Sequence, residues 1–116
     1  MIVEDDRDTR EMLERFLELE GFEVRTAANG QLALDALSAD SALSVILLDL
    51  MMPVMNGWQF RQEQVRDPRF SRIPVVVVTA AGPRDDIPAI NADGWLSKPV
   101  DFDRLLSTIA PLCQKP

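Results

Sequence analysis

The chain contains no histidine and no tyrosine. Without an imidazole, histidine general acid–base catalysis, histidine metal ligation and histidine phosphorylation within the chain are all excluded. Cys113 is the single cysteine, which rules out an internal disulfide, and its place at an apolar helix position reads as a buried, inert thiol. Lysines and arginines number 12 against 19 aspartates and glutamates, a formal net charge of −7. So acidic a chain offers no basic face for neutralising phosphates, and direct nucleic-acid binding is not expected. No apolar run is long enough to cross a bilayer, so no membrane association is expected either. The opening residues Met1-Ile2-Val3-Glu4-Asp5-Asp6 are acidic where a secretory signal is basic, and the expected address is cytoplasmic.

What the chain does contain is a soluble globular composition, 47% hydrophobic and 27% charged over 116 residues, a length that predicts one domain over residues 1–116. Its organising stretch is Val45 to Pro53, Val-Ile-Leu-Leu-Asp-Leu-Met-Met-Pro, where one carboxylate interrupts an apolar run. Four branched apolar residues in a row predict a strand buried on both faces, as in a parallel sheet, and Pro53 cannot continue it. Asp49 is therefore expected at the carboxyl end of a central strand, the edge where open α/β sheets bind ligands.

Around that strand the pattern alternates. Met1 to Val3 is a very short strand, and Asp8 with Glu11 resembles a capping box opening a helix whose apolar face carries Met12, Leu13, Phe16, Leu17 and Leu19. Gly21 stops it. Phe22 to Thr26 alternates like a strand near a sheet edge, Asn29-Gly30 makes a turn, and Leu32, Ala33, Ala36 and Leu37 stripe a second helix. Trp58 to Val65 is expected to be helical, ending at Asp67-Pro68. Pro74 to Val78 is a second buried strand closing on Thr79, and Gly94 to Ser97 is a brief strand ending at Lys98-Pro99. Between them Gly82, Pro83 and Pro88 leave room only for a shortened fourth helix. Leu105, Leu106, Ile109, Ala110 and Cys113 fall at helical spacing after a cap at Asp101 or Asp103. Five βα units with right-handed crossovers predict a doubly wound, five-stranded parallel sheet in a three-layer α/β sandwich.

On that frame Glu4 and Asp5 end the first strand, Asp49 the third, Thr79 the fourth and Lys98 the fifth, so all converge on one edge. Packed carboxylates repel and raise one another's pKa unless a cation joins them. Mg²⁺ (or Mn²⁺) prefers such oxygen ligands and is commonly shared between carboxylates and a phosphoryl group. A carboxylate beside such an ion can attack phosphorus, while Lys98 and the Thr79 hydroxyl would stabilise the developing charge.

Val3-Glu4-Asp5-Asp6, Leu48-Asp49-Leu50-Met51-Met52-Pro53 with Gly57, Val78-Thr79-Ala80 and Lys98-Pro99 together resemble the receiver domain of bacterial two-component response regulators. The likeness covers nearly the whole chain, with the motifs in the family's order and at its spacing. It implies the flavodoxin-like strand order 2-1-3-4-5. It implies Asp49 as phosphoacceptor, Mg²⁺ held by Glu4, Asp5, the Asp49 carboxylate and the Met51 backbone carbonyl, and Thr79 and Lys98 as the phosphoryl-contacting pair, with Lys98-Pro99 cis. Asp6 is read as an exposed helix-entry acid. Trp95 stands where the family carries a tyrosine or phenylalanine that moves with the threonine, and is a candidate switch. The implied partner is a histidine kinase or histidine phosphotransfer protein that supplies the phosphohistidine this chain lacks, and the protein is a signalling phosphoacceptor rather than an enzyme. The shortened fourth helix leaves no full helical face for dimerisation, so a monomer is expected. A haloacid-dehalogenase-type phosphatase would want a second acid where Met51 stands, and a flavodoxin-like carrier would want a phosphate cradle where Glu4-Asp5-Asp6 would repel it. The remaining rival is a degenerate receiver acting purely as an interaction module.

Overall fold

A computed structural model of the protein, describing residues 1–40, 42–80 and 92–113, alternates strands and helices: β1 (Ile2–Val3), α1 (Arg7–Leu19), β2 (Thr26–Ala27), α2 (Gly30–Ala39), β3 (Ile46–Leu48), α3 (Gly57–Arg66), β4 (Val75–Thr79), β5 (Gly94–Ser97) and α4 (Phe102–Cys113). The five strands form one sheet in the order β2-β1-β3-β4-β5, every neighbouring pair parallel. The chain winds from β1 outward to β2, then reverses to β3 and continues toward β5. The switch point therefore lies between β1 and β3, whose carboxyl ends lead into Glu4 and Asp49. The segment in which the shortened fourth helix was expected, 81–91, lies outside the described residues.

Strand alternation separates two cores. Val3, Ile46, Leu48 and Val75 face one side, where they pack with Ala33 and Leu37 of α2 and Phe60 of α3. Ile2, Leu47, Val76 and Val78 face the other, against Leu13 and Leu17 of α1 and Leu105 and Ile109 of α4. Each apolar strand run is buried on both faces because helices cover both, which is why these strands show no polar alternation. Among the described residues no helix is long and apolar enough to cross a membrane.

Local chemistry sets the helix starts. The cap of α1 is Asp6, not Asp8: the Asp6 carboxylate accepts from the Thr9 N–H at 2.9 Å, while Asp8 lies inside the first turn. Glu11 correspondingly pairs with Arg7 at 3.0 Å instead of reaching back to a cap. Asp6 is the exposed helix-entry acid read from the sequence. Gly21 follows α1 at φ 95°, a left-handed conformation open to glycine at little cost. Asn29 caps α2 through the Leu32 N–H at 2.9 Å, so the Asn29-Gly30 turn is the helix entry itself. Asn56 and Gln59 form a full capping box on α3, a signal the sequence reading passed over. At α4 the choice falls on Asp101, whose carboxylate accepts from Asp103 and Arg104. β2 is shorter than expected, because β1 offers only two residues to pair with, and Phe22 and Val24 pack sideways into the core instead.

The β3–α3 loop is drawn tight against the sheet. A Cβ on Gly57 would fall 2.7 Å from the Asp49 carbonyl oxygen and 2.8 Å from the Leu50 Cα, so only glycine lets the first turn of α3 close on the strand end. Within this loop Val54 takes φ 69° while 79% exposed. A β-branched residue is poorly suited to the left-handed region, and an exposed one gains nothing from packing in return. Val54→Asn is therefore expected to stabilise the protein by about 1 kcal/mol. A thermal melt checks this; an unchanged or lower midpoint would mean the loop carries no such strain.

Candidate functional site

The carboxyl ends of β1, β3, β4 and β5 deliver the polar residues to one edge, and most of them are buried there. Glu4 is 2% exposed, Asp49 5% and Thr79 fully buried, whereas Asp5 stands in solvent. Lys98 follows β5 with its backbone N–H on the Thr79 carbonyl at 3.0 Å, and its peptide bond to Pro99 is cis. From there its ammonium forms an ion pair with the Glu4 carboxylate and lies 3.5 Å from Asp49 Oδ2. Glu4 Oε2 also accepts from the Asp6 N–H at 3.1 Å, and Asp49 Oδ1 from the Met51 N–H at 3.3 Å. The sheet thus brings Glu4, Asp5, Asp49 and Lys98 together, with Thr79 at the end of the adjoining strand and Met51 tied to Asp49 by its backbone.

Glu4, Asp5 and Asp49 each present a carboxylate oxygen, all within 4.8 Å of one another. Three oxygens with no nitrogen or sulfur make a donor set suited to a hard divalent cation such as Mg²⁺. Burial, the largest influence, pushes the Glu4 carboxyl up to about 7; the Lys98 ammonium opposes this and the Asp49 carboxylate adds to it. For Lys98 burial works to lower the pKa, but the Glu4 and Asp49 carboxylates outweigh it and hold the ammonium above its ordinary range. Trp95 is half-buried in a small cluster with Leu50, Val77, Trp58 and Ala92, and its buried indole N–H has no hydrogen-bond partner among the described residues. Far from the edge, burial raises the pKa of the half-buried Cys113 thiol, in keeping with an inert cysteine.

The family model described as the response regulator receiver domain matches residues 1–110. This chain belongs to that family. The receiver is 37% identical over 120 residues to a Haemophilus influenzae protein named transcriptional regulatory protein CpxR homolog, covering 99% of this chain and 50% of that protein. Response regulator Rre1 of Synechocystis is likewise 37% identical, over 97% of this chain and 50% of its own length. The chain thus spans about half the length of these curated relatives. Among solved structures it superposes on Vibrio cholerae chemotaxis protein CheY4 with a TM-score of 0.88 at 31% identity, covering 96% of this chain and 94% of that one. The response regulator TrrA of Thermotoga maritima, solved in complex with Mg²⁺ and beryllofluoride, gives 0.84 at 28% identity, covering 96% and 95%.

Gly57, part of the motif that carries the family resemblance, shapes the backbone of Asp49. Arg10 of α1, which reaches the Glu4 and Asp5 carbonyls, was not legible beforehand, because an arginine's charge is ordinary on a helix surface.

The raised Glu4 carboxyl links stability to pH in the metal-free receiver. Between its ordinary 4.5 and its folded value of about 7, the folded state keeps a proton that the unfolded state releases. Stability therefore falls as pH rises through that window and levels off above it. The expected loss is on the order of 2 kcal/mol in metal-free buffer, and Glu4→Gln should flatten that part of the profile. Thermal melts from about pH 5 to about pH 8 in chelator measure both slopes; equal slopes would remove Glu4 as the source.

Proposed function

We propose that this receiver accepts a phosphoryl group on Asp49 from a phosphohistidine of a partner histidine kinase or phosphotransfer protein, in a Mg²⁺-dependent reaction, and relays a two-component signal through the resulting change in conformation. The observation that carries the reading is the placement of the Asp49 carboxylate: buried at the end of β3, tied at one oxygen by the Met51 N–H, 3.5 Å at the other from the Lys98 ammonium, and grouped with Glu4 and Asp5. The Mg²⁺-bound TrrA neighbour supports the same chemistry for this fold.

In this mechanism an Asp49 carboxylate oxygen attacks the phosphorus of the phosphohistidine. The new P–O bond forms as the P–N bond breaks, and the imidazole leaves with the bonding pair. Bound divalent metal would supply charge neutralisation for the incoming phosphoryl group, held by Glu4, Asp5, Asp49 and the Met51 carbonyl. Lys98, already beside Asp49, swings from carboxylate to phosphoryl oxygen and offsets its charge. The Thr79 hydroxyl donates to another phosphoryl oxygen, and the following shift of β4 is passed to Trp95, which packs beside Val77 of that strand. The partner surface lies along α1, where Met12, Phe16, Leu19 and Phe102 line an open groove beside several glutamates. The receiver works in the cytoplasm as a signalling phosphoacceptor, and DNA binding, where it follows, belongs to another domain. A monomeric receiver is part of this proposal; its premise, the shortened fourth helix, lies outside the described residues.

Mass spectrometry after incubation with acetyl phosphate and Mg²⁺ tests the reading. One phosphoryl group is expected on the wild-type chain and none on Asp49→Asn. If wild type gains no mass, the interaction-module reading takes its place.

Lys98 also makes a separable prediction. Its ammonium occupies the carboxylates that a divalent cation needs, so Lys98→Ala should bind Mg²⁺ several-fold more tightly while losing phosphorylation rate. Isothermal titration with Mg²⁺ reads the first effect and the acetyl phosphate time course the second.

A further inference from the structure

Successive side chains on an extended strand point to opposite sides, so neighbours such as Glu4 and Asp5 would ordinarily be directed apart. Here both bring a carboxylate oxygen within 4.8 Å of the Asp49 carboxylate. The backbone must therefore turn between them, just where the strand ladder of β1 has ended at Val3. The last strand-like bond is the Glu4 N–H to the Ala27 carbonyl at 3.0 Å, and from the Glu4 carbonyl onward the chain has left the sheet.

Arg10 lies one turn into α1, and its side chain folds back toward this turn. Its Nη1 donates to the Glu4 carbonyl at 2.9 Å and, more weakly, to the Asp5 carbonyl at 3.4 Å. Its own backbone N–H bonds the Asp6 carbonyl at 2.9 Å. That backbone bond is the ordinary first bond of α1 from its cap, so what is particular to arginine here is the grip of its guanidinium on two consecutive carbonyls, strengthened by its charge. Both guanidinium bonds go to backbone carbonyls, so the hold on the turn takes up no carboxylate oxygen.

We infer that Arg10 is a positioning residue for the cation site, fixing the Glu4–Asp5 turn so that two consecutive carboxylates serve one divalent ion. The inference rests on the proposed function, since it concerns the same site. Two effects of Arg10 have opposite signs, which makes the role separable. As a bare positive charge near three acids it would weaken cation binding, and its removal would tighten it. As a clamp on ligand geometry it strengthens binding, and its removal loosens the site. Groups that orient metal ligands without touching the metal typically account for about ten- to a hundredfold in affinity.

Mg²⁺ alone is the probe, titrated into the full chain by calorimetry, with tryptophan fluorescence as a second readout. Arg10→Met, which removes both donors and charge, is expected to bind Mg²⁺ about tenfold more weakly than wild type. Arg10→Lys, which keeps one charged donor within reach of the carbonyls, should recover most of that loss. Melting curves taken alongside establish that each variant is folded at the titration temperature. Should Arg10→Met fail to fold, Arg10→Gln, neutral but with one donor, takes its place and should still bind more weakly. A neutral variant that binds Mg²⁺ as well as or better than wild type overturns the inference and leaves the proposed function standing. A wild-type chain that binds no Mg²⁺ at millimolar concentration overturns both.

Discussion

Glu4 and Asp49 are both withdrawn from water at the end of neighbouring strands, where two ionised carboxylates lose hydration and repel each other. The Lys98 ammonium, reaching both from the end of β5, is the interaction that makes the arrangement tolerable. It compensates incompletely, since burial still lifts the Glu4 carboxyl to about 7. The site is consequently poised: it carries more negative charge than one ammonium can satisfy, and a buried carboxylate has one oxygen facing that ammonium. Such a cluster of oxygen donors suits a hard divalent cation.

The scaffold supports this electrostatic tension by being rigid on both faces. Separate apolar cores clamp the strands from above and below, so the ends of β1, β3, β4 and β5 cannot splay apart to relieve the repulsion. Behind Asp49 the chain has no freedom either, because Gly57 brings the start of α3 into contact with the Asp49 carbonyl and the Gly57 N–H bonds the Leu50 carbonyl at 3.0 Å. The polar clamps serve the same end elsewhere. Gln64, fully buried on α3, donates to the Phe70 and Ile73 carbonyls and is itself held by Arg61, tying the chain that leads into β4 to the helix.

Chemistry at the edge has a short path to the surface. Leu50 directly follows Asp49, and it packs in a small cluster with Val77 of β4, Trp58 of α3 and Trp95 of β5. Two indoles therefore adjoin the backbone that carries the Asp49 carboxylate, one on a helix and one on the edge strand.

Periodicity and punctuation in the sequence determined the alternation of strands and helices, the buried runs at Ile46–Leu48 and Val75–Thr79, and the placement of Glu4, Asp5, Asp49, Thr79 and Lys98 at strand ends. Those at Glu4, Asp49 and Thr79 were legible because a strand buried on both faces must be continuously apolar, so the first polar residue marks its end, whereas Lys98 was marked by the proline that follows it. The strand order came from the family resemblance, since parallel strands of similar composition do not declare their neighbours. Local competition was decided by tertiary structure alone. Asp6 rather than Asp8 caps α1, because the strand exit fixes where the extended backbone turns helical. β2 contracts to Thr26–Ala27, because a two-residue β1 gives it nothing more to pair with. The pairing of Lys98 with Glu4, the Glu4 carboxyl raised by burial, the close approach at Gly57 and the grip of Arg10 on two carbonyls all join one element to the end of another or depend on burial. A residue's type reveals what it can do, but distance and dielectric, which decide how strongly it does so, exist only once the chain is folded.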